Sequence, residues 1–490
     1  MRLIQRIGSW FDARLQLADP IKKVTEHPVP RRSASWFYVF GSAALAVFIV
    51  QVVTGILLAI LYVPSAAEAW NQLHFINGQV SSGWIIRAIH GWGSNFMVAI
   101  VLIHMVQVFL FGAHKYPREL TWIIGVFLLL MTLGMAFTGQ IMRWDQDAYW
   151  GLGIGASISS RIPGIGAPLV KLLLGGPIIA GATLSRFFAL HVFVIPGLLI
   201  GFVGLHLLMV VKLGINEWPM PGRLVRRSTY LAEYKDLTHR DGVPFVPGAI
   251  GRDLVFSGVI LLAIVFCALF LGPFGPGGRP DPTIIQTAPK PDFFFLWLYA
   301  TLSFLPPAAE TPFLLIAPAV GILFLVLLPF LSGQGEKSWR RRPIAVLTLI
   351  LVAGVLGSLT RLGLHVPWSP VMDAWSSEPI PAAMLAHLSP LERQGALVFK
   401  AKQCHDCHAL GDQGGERGPP LDAVAVRLTP DQLIRQVIQG GGNMPAYGKN
   451  LSPAETTALV AFLSTLHPAG QAPARDASQA ALLQNLHQPP

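Results

Sequence analysis

The sequence predicts an all-α protein: a polytopic membrane helical bundle of about seven transmembrane helices, followed by a small all-α soluble domain. Three observations predict it. Hydrophobic residues make up 52% of the 490 and charged residues 13%, and mean hydropathy is +0.53. Seven apolar stretches of about twenty residues or more, enough to cross a hydrocarbon core about 30 Å thick, occupy roughly 35–63, 83–112, 120–141, 186–213, 252–272, 311–332 and 343–363. After Pro367-Trp368-Ser369-Pro370 the long apolar runs cease.

Residues 1–34 form a charged, partly amphipathic segment with no signal-peptide pattern, so no cleaved leader is expected. The net charge of +10 would suit nucleic acid, but its distribution points to a membrane. Twenty Lys and Arg lie in the N-terminal tail and around the loops after the second, fourth and sixth spans, against six in the alternate loops (Arg143, Arg161, Lys171, Arg186, Arg279, Lys290). This positive-inside bias places the N-terminus in the cytoplasm and, with seven spans, everything after about residue 365 outside. The expected location is a bacterial inner membrane, with no nucleic-acid partner. Residues 35–213 read as a four-helix unit and 214–370 as a three-helix unit. A linker at 371–384, a small domain at 385–467 and a flexible tail at 468–490 complete the chain. The seven acidic and seven basic side chains of the small domain cancel, so charge names no docking partner for it.

Two of the spans each carry two histidines. His90 and His104 are fourteen residues apart, which at about 1.5 Å of rise per residue is roughly 21 Å along a helix. His191 and His206 are fifteen apart and repeat the arrangement. A lone histidine in an apolar helix is usually just hydrogen-bonded to a neighbour, yet ionisable groups at membrane depth are rare and functional by default. Two matched pairs would hold two flat metallo-cofactors stacked across the bilayer, one histidine from each helix to each, and the natural cofactor is haem. Gly41 and Gly55, and Gly125 and Gly139, are also fourteen apart, and glycine lets a macrocycle lie against backbone. Glycine also serves plain helix packing in membranes.

The soluble domain carries Cys404-His405-Asp406-Cys407-His408, the c-type haem attachment pattern, in which two thioethers anchor the macrocycle and the following histidine ligates iron. A zinc half-site or redox disulfide is the alternative, but Cys267, the third cysteine, sits in the fifth span and no second pair exists. Met444, in Asn443-Met444-Pro445-Ala446-Tyr447, is the candidate sixth ligand; a methionine packed in the core is the other reading. Gly395 and Phe399 before the motif, and a closing helix from Pro453 to Leu466, resemble the class I cytochromes c.

With Trp144-Asp145-Gln146, Pro117-Arg118-Glu119-Leu120-Thr121-Trp122 and Pro280-Asp281-Pro282, the four histidines resemble cytochrome b of the cytochrome bc/bf quinol oxidoreductases over about residues 1–370. The fifteen-residue step resembles the bf branch, where the unit is split into two chains; here it is continuous. The resemblance implies two non-covalent haem b. His90 and His191 would ligate the outer, low-potential one, and His104 and His206 the inner, higher-potential one. Arg87 and Arg118, with Arg186 behind them, are candidates to pair with propionates. A cysteine that tethers an extra haem in the bf branch is matched here by Val39, so no extra covalent haem is expected.

The family's outer quinol pocket is marked by Pro-Glu-Trp-Tyr, and the matching place reads Pro291-Asp292-Phe293-Phe294. Asp292 keeps a carboxylate to accept a quinol proton, one methylene shorter, while Phe294 lacks the hydroxyl. An exposed loop acid is the other reading of Asp292. The departure leaves the quinone type open, with menaquinol among the candidates. Arg161-Ile162-Pro163-Gly164-Ile165-Gly166 resembles the segment that shapes this pocket, and Lys212, with Asp12 and Arg14, is a candidate for an inner quinone site. Lipid phosphates are an equal account of the two basic residues.

Together these imply the core subunit of a quinol:cytochrome c oxidoreductase that bifurcates electrons from quinol and translocates protons, with one covalent haem c on its own C-terminal domain. The cysteine pair is committed to that haem, so a separate Rieske iron-sulfur protein is required. A homodimeric complex and a downstream acceptor such as a soluble cytochrome c or an oxidase complete the expectation. The alternative is a non-bifurcating dihaem b and monohaem c conduit for another dehydrogenase or reductase.

Overall fold

The computed structural model describes residues 2–16, 18–176, 179–281, 290–365, 380–411, 413–414, 418–440, 444, 447–448 and 450–474. Pro282, Asn443, Pro445, Ala446, most of the linker and the tail from 475 lie outside the described residues. The chain forms two compact units: 1–145, 181–277 and 316–357, and 146–180, 278–315 and 358–490.

Among the described residues seven helices are long and apolar enough to cross a membrane: Phe40–Leu61, Gly83–Leu110, Glu119–Ile141, Gly181–Leu213, Ile250–Leu271, Ala309–Leu331 and Pro343–Leu364. Each lies within a few residues of its expected span, the largest differences being the start of the first, at Phe40 rather than 35, and of the fourth, at Gly181 rather than 186. In the first unit Ala43, Val47, Ile100 and Ile264 bring the first, second and fifth spans together. Trp122, Val126 and Leu328 join the third and sixth.

A transmembrane helix ends in carbonyls that lack intrahelical partners, and a cation supplies both the donors and the charge that the negative end of the dipole favours. The structure uses this repeatedly. Lys115 Nζ donates to the Ser332 and Gln334 carbonyls at 2.5 and 2.8 Å, just past the sixth span. Arg342 donates to Phe109 O at 3.0 Å at the end of the second, and Arg118 to Leu213 O and Gly214 O at 3.2 and 3.1 Å at the end of the fourth. Beside this belt Lys337 is buried, its ammonium 2.6 Å from Asn216 Oδ1, 3.0 Å from Tyr230 Oη and 3.3 Å from Glu217 Oε1. Burial lowers its pKa to about 7, against the pull of Glu217 and with the neighbouring Arg118 and Arg223 pushing the same way as burial. Short antiparallel pairs, Pro28–Pro30 with Gly242–Pro244 and Leu224–Val225 with Gly335–Glu336, clasp the connecting segments.

In the second unit, helices Gln146–Ser160 and Gly166–Leu174 flank the turn at 161–165, and Leu296–Phe304 follows Pro291-Asp292-Phe293-Phe294. The soluble domain is built on helices Pro390–Ala401, Pro430–Gln439 and Pro453–Ser464. All three begin the same way: Ser389, Thr429 and Ser452 cap the helix, proline follows, and Glu392, Gln432 and Glu455 return a bond to the cap. The first and third cross closely at Gly395, where a Cβ would run into the Ala458 carbonyl, and Phe399 meets Phe462 edge-on at 5.7 Å.

Candidate functional site

The four membrane histidines all belong to the first unit. Each faces one of the four glycines that share their spacing. An added Cβ would stand 3.3 Å from His104 at Gly41, 3.2 Å from His90 at Gly55, 3.8 Å from His206 at Gly125 and 2.8 Å from His191 at Gly139. The glycines thus make room for the imidazoles themselves at two levels, His90 with His191 and His104 with His206.

At the first of these levels, expected to be the outer one, the rings of His90 and His191 have centroids 6.3 Å apart and planes at 83°. A metal–imidazole bond of about 2.0 Å on each side plus a ring radius of roughly 1.2 Å gives a bracketed metal about the same separation, so the pair would hold a haem iron between its rings. Both tautomers are set by threonines. Thr54 Oγ1 donates to the Val50 carbonyl at 2.6 Å and so accepts from His90 Nδ1 at 2.8 Å. Thr138 Oγ1 donates to Gly134 O at 2.9 Å and accepts from His191 Nδ1 at 2.9 Å. With Nδ1 protonated, each Nε2 keeps its lone pair for a metal. At the second level, expected to be the inner one, Nδ1 of His104 and of His206 is buried with no partner in full hydrogen-bonding geometry. The Gln107 side chain and the Thr121 backbone are the nearest candidates.

The fifteen-residue step has a structural cause. Leu190–Val194 forms a π-helical turn that starts beside His191, between Gly181–Ala189 and Ile195–Leu213. Pro196 cannot donate to the carbonyl four residues back, and the wider turn takes up one extra residue. Fifteen residues there serve as fourteen do between His90 and His104.

The two arginines are engaged by the chain itself. Arg87 is buried and donates to Asn77 Oδ1 at 3.1 Å, to Gly275 O at 2.9 and 2.6 Å and to Phe274 O. Arg118 spends Nε, Nη1 and Nη2 on Gly214 O, Tyr230 Oη, and Leu213 O with Gly214 O. These bonds anchor loops and a helix end. Lys212 sits exposed in the last turn of the fourth span. The family motifs meet one another: Asp145 accepts from Gly277 N at 2.9 Å, while Gln146 donates to Asp281 O at 3.0 Å and accepts from Asp281 N at 2.6 Å.

In the second unit Asp292 is half-buried and starts a short turn, its carbonyl accepting from Phe295 N at 2.9 Å. Phe294 is buried and Phe293 exposed, and Trp297 Nε1 donates to Phe294 O at 2.9 Å. The 161–165 turn is held by an ion pair from Arg161 Nη2 to Glu310 Oε2 at 3.2 Å and a bond from Arg161 Nη1 to Thr311 Oγ1 at 2.8 Å.

In the soluble domain His408 Nδ1 donates to the Pro419 carbonyl at 2.8 Å, which leaves Nε2 for iron. A Cβ on Gly418 would run into the His408 ring, so Gly418-Pro419 cradles this imidazole. His405, inside the motif, is buried and bonded through Nε2 to Gln413 O at 3.1 Å. Cys404 and Met444 pack against the domain core, and the Met444 sulfur lies 3.6 Å from Gln436 Nε2. Sequence reasoning missed Thr54, Thr138 and Gly418-Pro419. The first two had a visible signal, a threonine directly before each glycine of the outer level.

Residues 24–214 match the family model of cytochrome b/b6/petB, and residues 390–463 that of cytochrome c oxidase, cbb3-type, subunit III. A cytochrome bc complex cytochrome b subunit of Chlorobaculum thiosulfatiphilum is 31% identical over 357 residues, 71% of this chain and 79% of the relative. The chain belongs to the cytochrome b family of bc-type complexes. As a cytochrome b it is a multi-pass membrane subunit of a complex III-like assembly, with a cytochrome c domain fused to its C-terminus, and its two parts imply haem b and haem c. Cytochrome b6 of Synechococcus elongatus is 38% identical over 213 residues, 44% of this chain and 99% of the relative. A protein of Bacillus subtilis named menaquinol:cytochrome c reductase cytochrome b subunit is 36% identical over 221 residues, again 44% and 99%. The solved structure titled hyperthermophilic respiratory Complex III superposes with a TM-score of 0.62 at 26% identity, covering 80% of this chain and 95% of that one.

Proposed function

We propose that this cytochrome b is the catalytic core of a quinol:cytochrome c oxidoreductase that bifurcates electrons and moves protons outward, carrying two haem b and one covalent haem c on a single polypeptide. The observation that carries the reading is the pairing of His90 with His191 in metal-bracketing geometry, their Nδ1 atoms bonded to Thr54 and Thr138. His104 and His206 serve the inner level, and Cys404, Cys407, His408 and Met444 the c-type site. When bound, the haems supply one-electron transfer, across the membrane in the bundle and onward to an acceptor in the soluble domain.

The chain's own residues handle protons and position. Each quinol oxidised to quinone releases two protons and two electrons. Asp292, as carboxylate, accepts one proton from the quinol hydroxyl and passes it to water outside. Pro291, Phe293 and Phe294 wall the ring, and the apolar Phe294 supplies no hydroxyl there. The Arg161–Glu310 pair holds the facing turn. Arg87 and Arg118, besides their loop anchoring, are the propionate candidates, and Lys212 serves the inner quinone site. One electron would leave through a separate Rieske protein to the c-type site and the other would cross by the two histidine levels to a quinone at the inner site, the second proton passing to the outer aqueous phase; the assembly is a homodimer with the soluble domain on the outer face.

Oxidant-induced b reduction tests this reading. The complex is supplied with quinol, its inner quinone site is blocked, an oxidant is added and b absorbance is followed. Transient b reduction is the expected result. A b signal that stays oxidised, in a preparation that retains its Rieske subunit, replaces bifurcation with a simple conduit.

A further inference from the structure

The two histidine levels are built alike in one respect and differently in another. All four glycines leave room for an imidazole. The residue before each glycine differs: Thr54 and Thr138 at the outer level, Phe40 and Ile124 at the inner. Both threonines stand as acceptors 2.8 and 2.9 Å from imidazole Nδ1 atoms, and both are polarised by donating to a carbonyl of their own helix. The inner imidazoles have no hydroxyl acceptor: their Nδ1 atoms are buried without a partner in full hydrogen-bonding geometry, and the groups that approach them are the Gln107 side chain and the Thr121 backbone.

An acceptor on Nδ1–H makes the opposite nitrogen a stronger donor to the metal. Chains of hydrogen bonds reinforce each member in a low-dielectric interior. A stronger donor stabilises the oxidised iron more than the reduced one, so it lowers the reduction potential. We propose that Thr54 and Thr138 are positioning residues that hold the outer haem at a lower potential than the inner one, through their hydroxyls on His90 and His191. The inference rests on the ligand assignment above and goes further by naming what separates the two levels. Its consequence is directional, because an electron delivered at the outer level then runs downhill to the inner one.

The test is a redox titration of the b absorbance in the purified complex, for wild type, Thr54→Val, Thr138→Val and Thr54→Ser. Loss of one component in His90→Leu and of the other in His104→Leu assigns outer and inner. Each valine variant is expected to shift the outer reduced-to-oxidised ratio about three- to tenfold toward reduced, a rise of up to about 59 mV for one electron. The inner component should stay in place and the serine variant should titrate as wild type. Three results overturn the proposal: an unmoved outer component, an equal shift of both, or loss of the outer haem in the valine variants, which would make the threonines structural only. If wild type shows no pair of b components, or His90→Leu and His104→Leu remove none, the ligand reading itself fails.

Discussion

The membrane bundle and the soluble domain each prepare imidazoles to ligate iron, but they assemble them over very different lengths of chain. In the soluble domain the proposed anchoring cysteines and ligand lie within five consecutive residues, and Gly418-Pro419 holds the His408 imidazole from eleven residues on. In the bundle the partners His90 and His191 come from helices about a hundred residues apart in sequence, and the groups orienting them, Thr54 and Thr138, from two further helices. As proposed, the local site depends on covalent chemistry and one loop. The distributed site depends on four spans packing in register, which is why its glycines admit so little extra volume.

The difference can be broken most completely from the covalent side. Cys404→Ala with Cys407→Ala should abolish haem staining of the denatured chain while leaving the b absorbance of the membranes intact; loss of both signals would show that the two parts are not independent. Next comes the glycine series. At Gly139 an added methyl would stand 2.8 Å from His191, closer than atoms pack, whereas at Gly125 it would stand at an ordinary 3.8 Å from His206. Gly139→Ala should cost about 1–3 kcal/mol in overpacking and deplete one b haem, and Gly125→Ala should leave both in place, as read from haem content per chain.

A smaller effect concerns the buried ammonium of Lys337. Its folded pKa of about 7 lies below its usual 10.5. Between those values the unfolded chain binds a proton that the folded one does not, so stability rises as pH increases through this window. Thermal unfolding of the solubilised bundle at pH 7 and pH 9 should show the rise, and Lys337→Met should flatten it; an unchanged slope would mean that Lys337 stays charged when folded. Smallest is Ser389→Ala, which removes one cap and should cost the soluble domain about 1 kcal/mol, read by chemical unfolding at the c-type absorbance, with the bundle unaffected.

The same contrast governs what could be read from the chain alone. The spans were legible because twenty apolar residues carry their own signal, and the c-type motif because all its members are adjacent. The four histidines were legible through their repeat, and so were the glycines, although these face the imidazoles directly. Thr54 and Thr138 went unread because their role depends on which helix face meets a histidine on another span, and that is a packing result. The π turn at Leu190–Val194 was visible only as one surplus residue. Arg87 and Arg118 read as anion partners by charge and depth, while their bonds to carbonyls of nearby loops and helix ends were not legible, because periodicity does not display which carbonyls lack a partner. The three capping boxes at Ser389, Thr429 and Ser452 were in plain view as a repeated Ser/Thr-Pro-x-Glu/Gln pattern.

The haem complement of the purified chain tests the central claim most directly. A pyridine haemochrome spectrum is recorded, and the denatured polypeptide is stained for covalent haem. The account predicts two haem b for each haem c, with only the c-type haem retained on the denatured chain. A ratio of one to one, or a denatured chain that carries no haem, would contradict it.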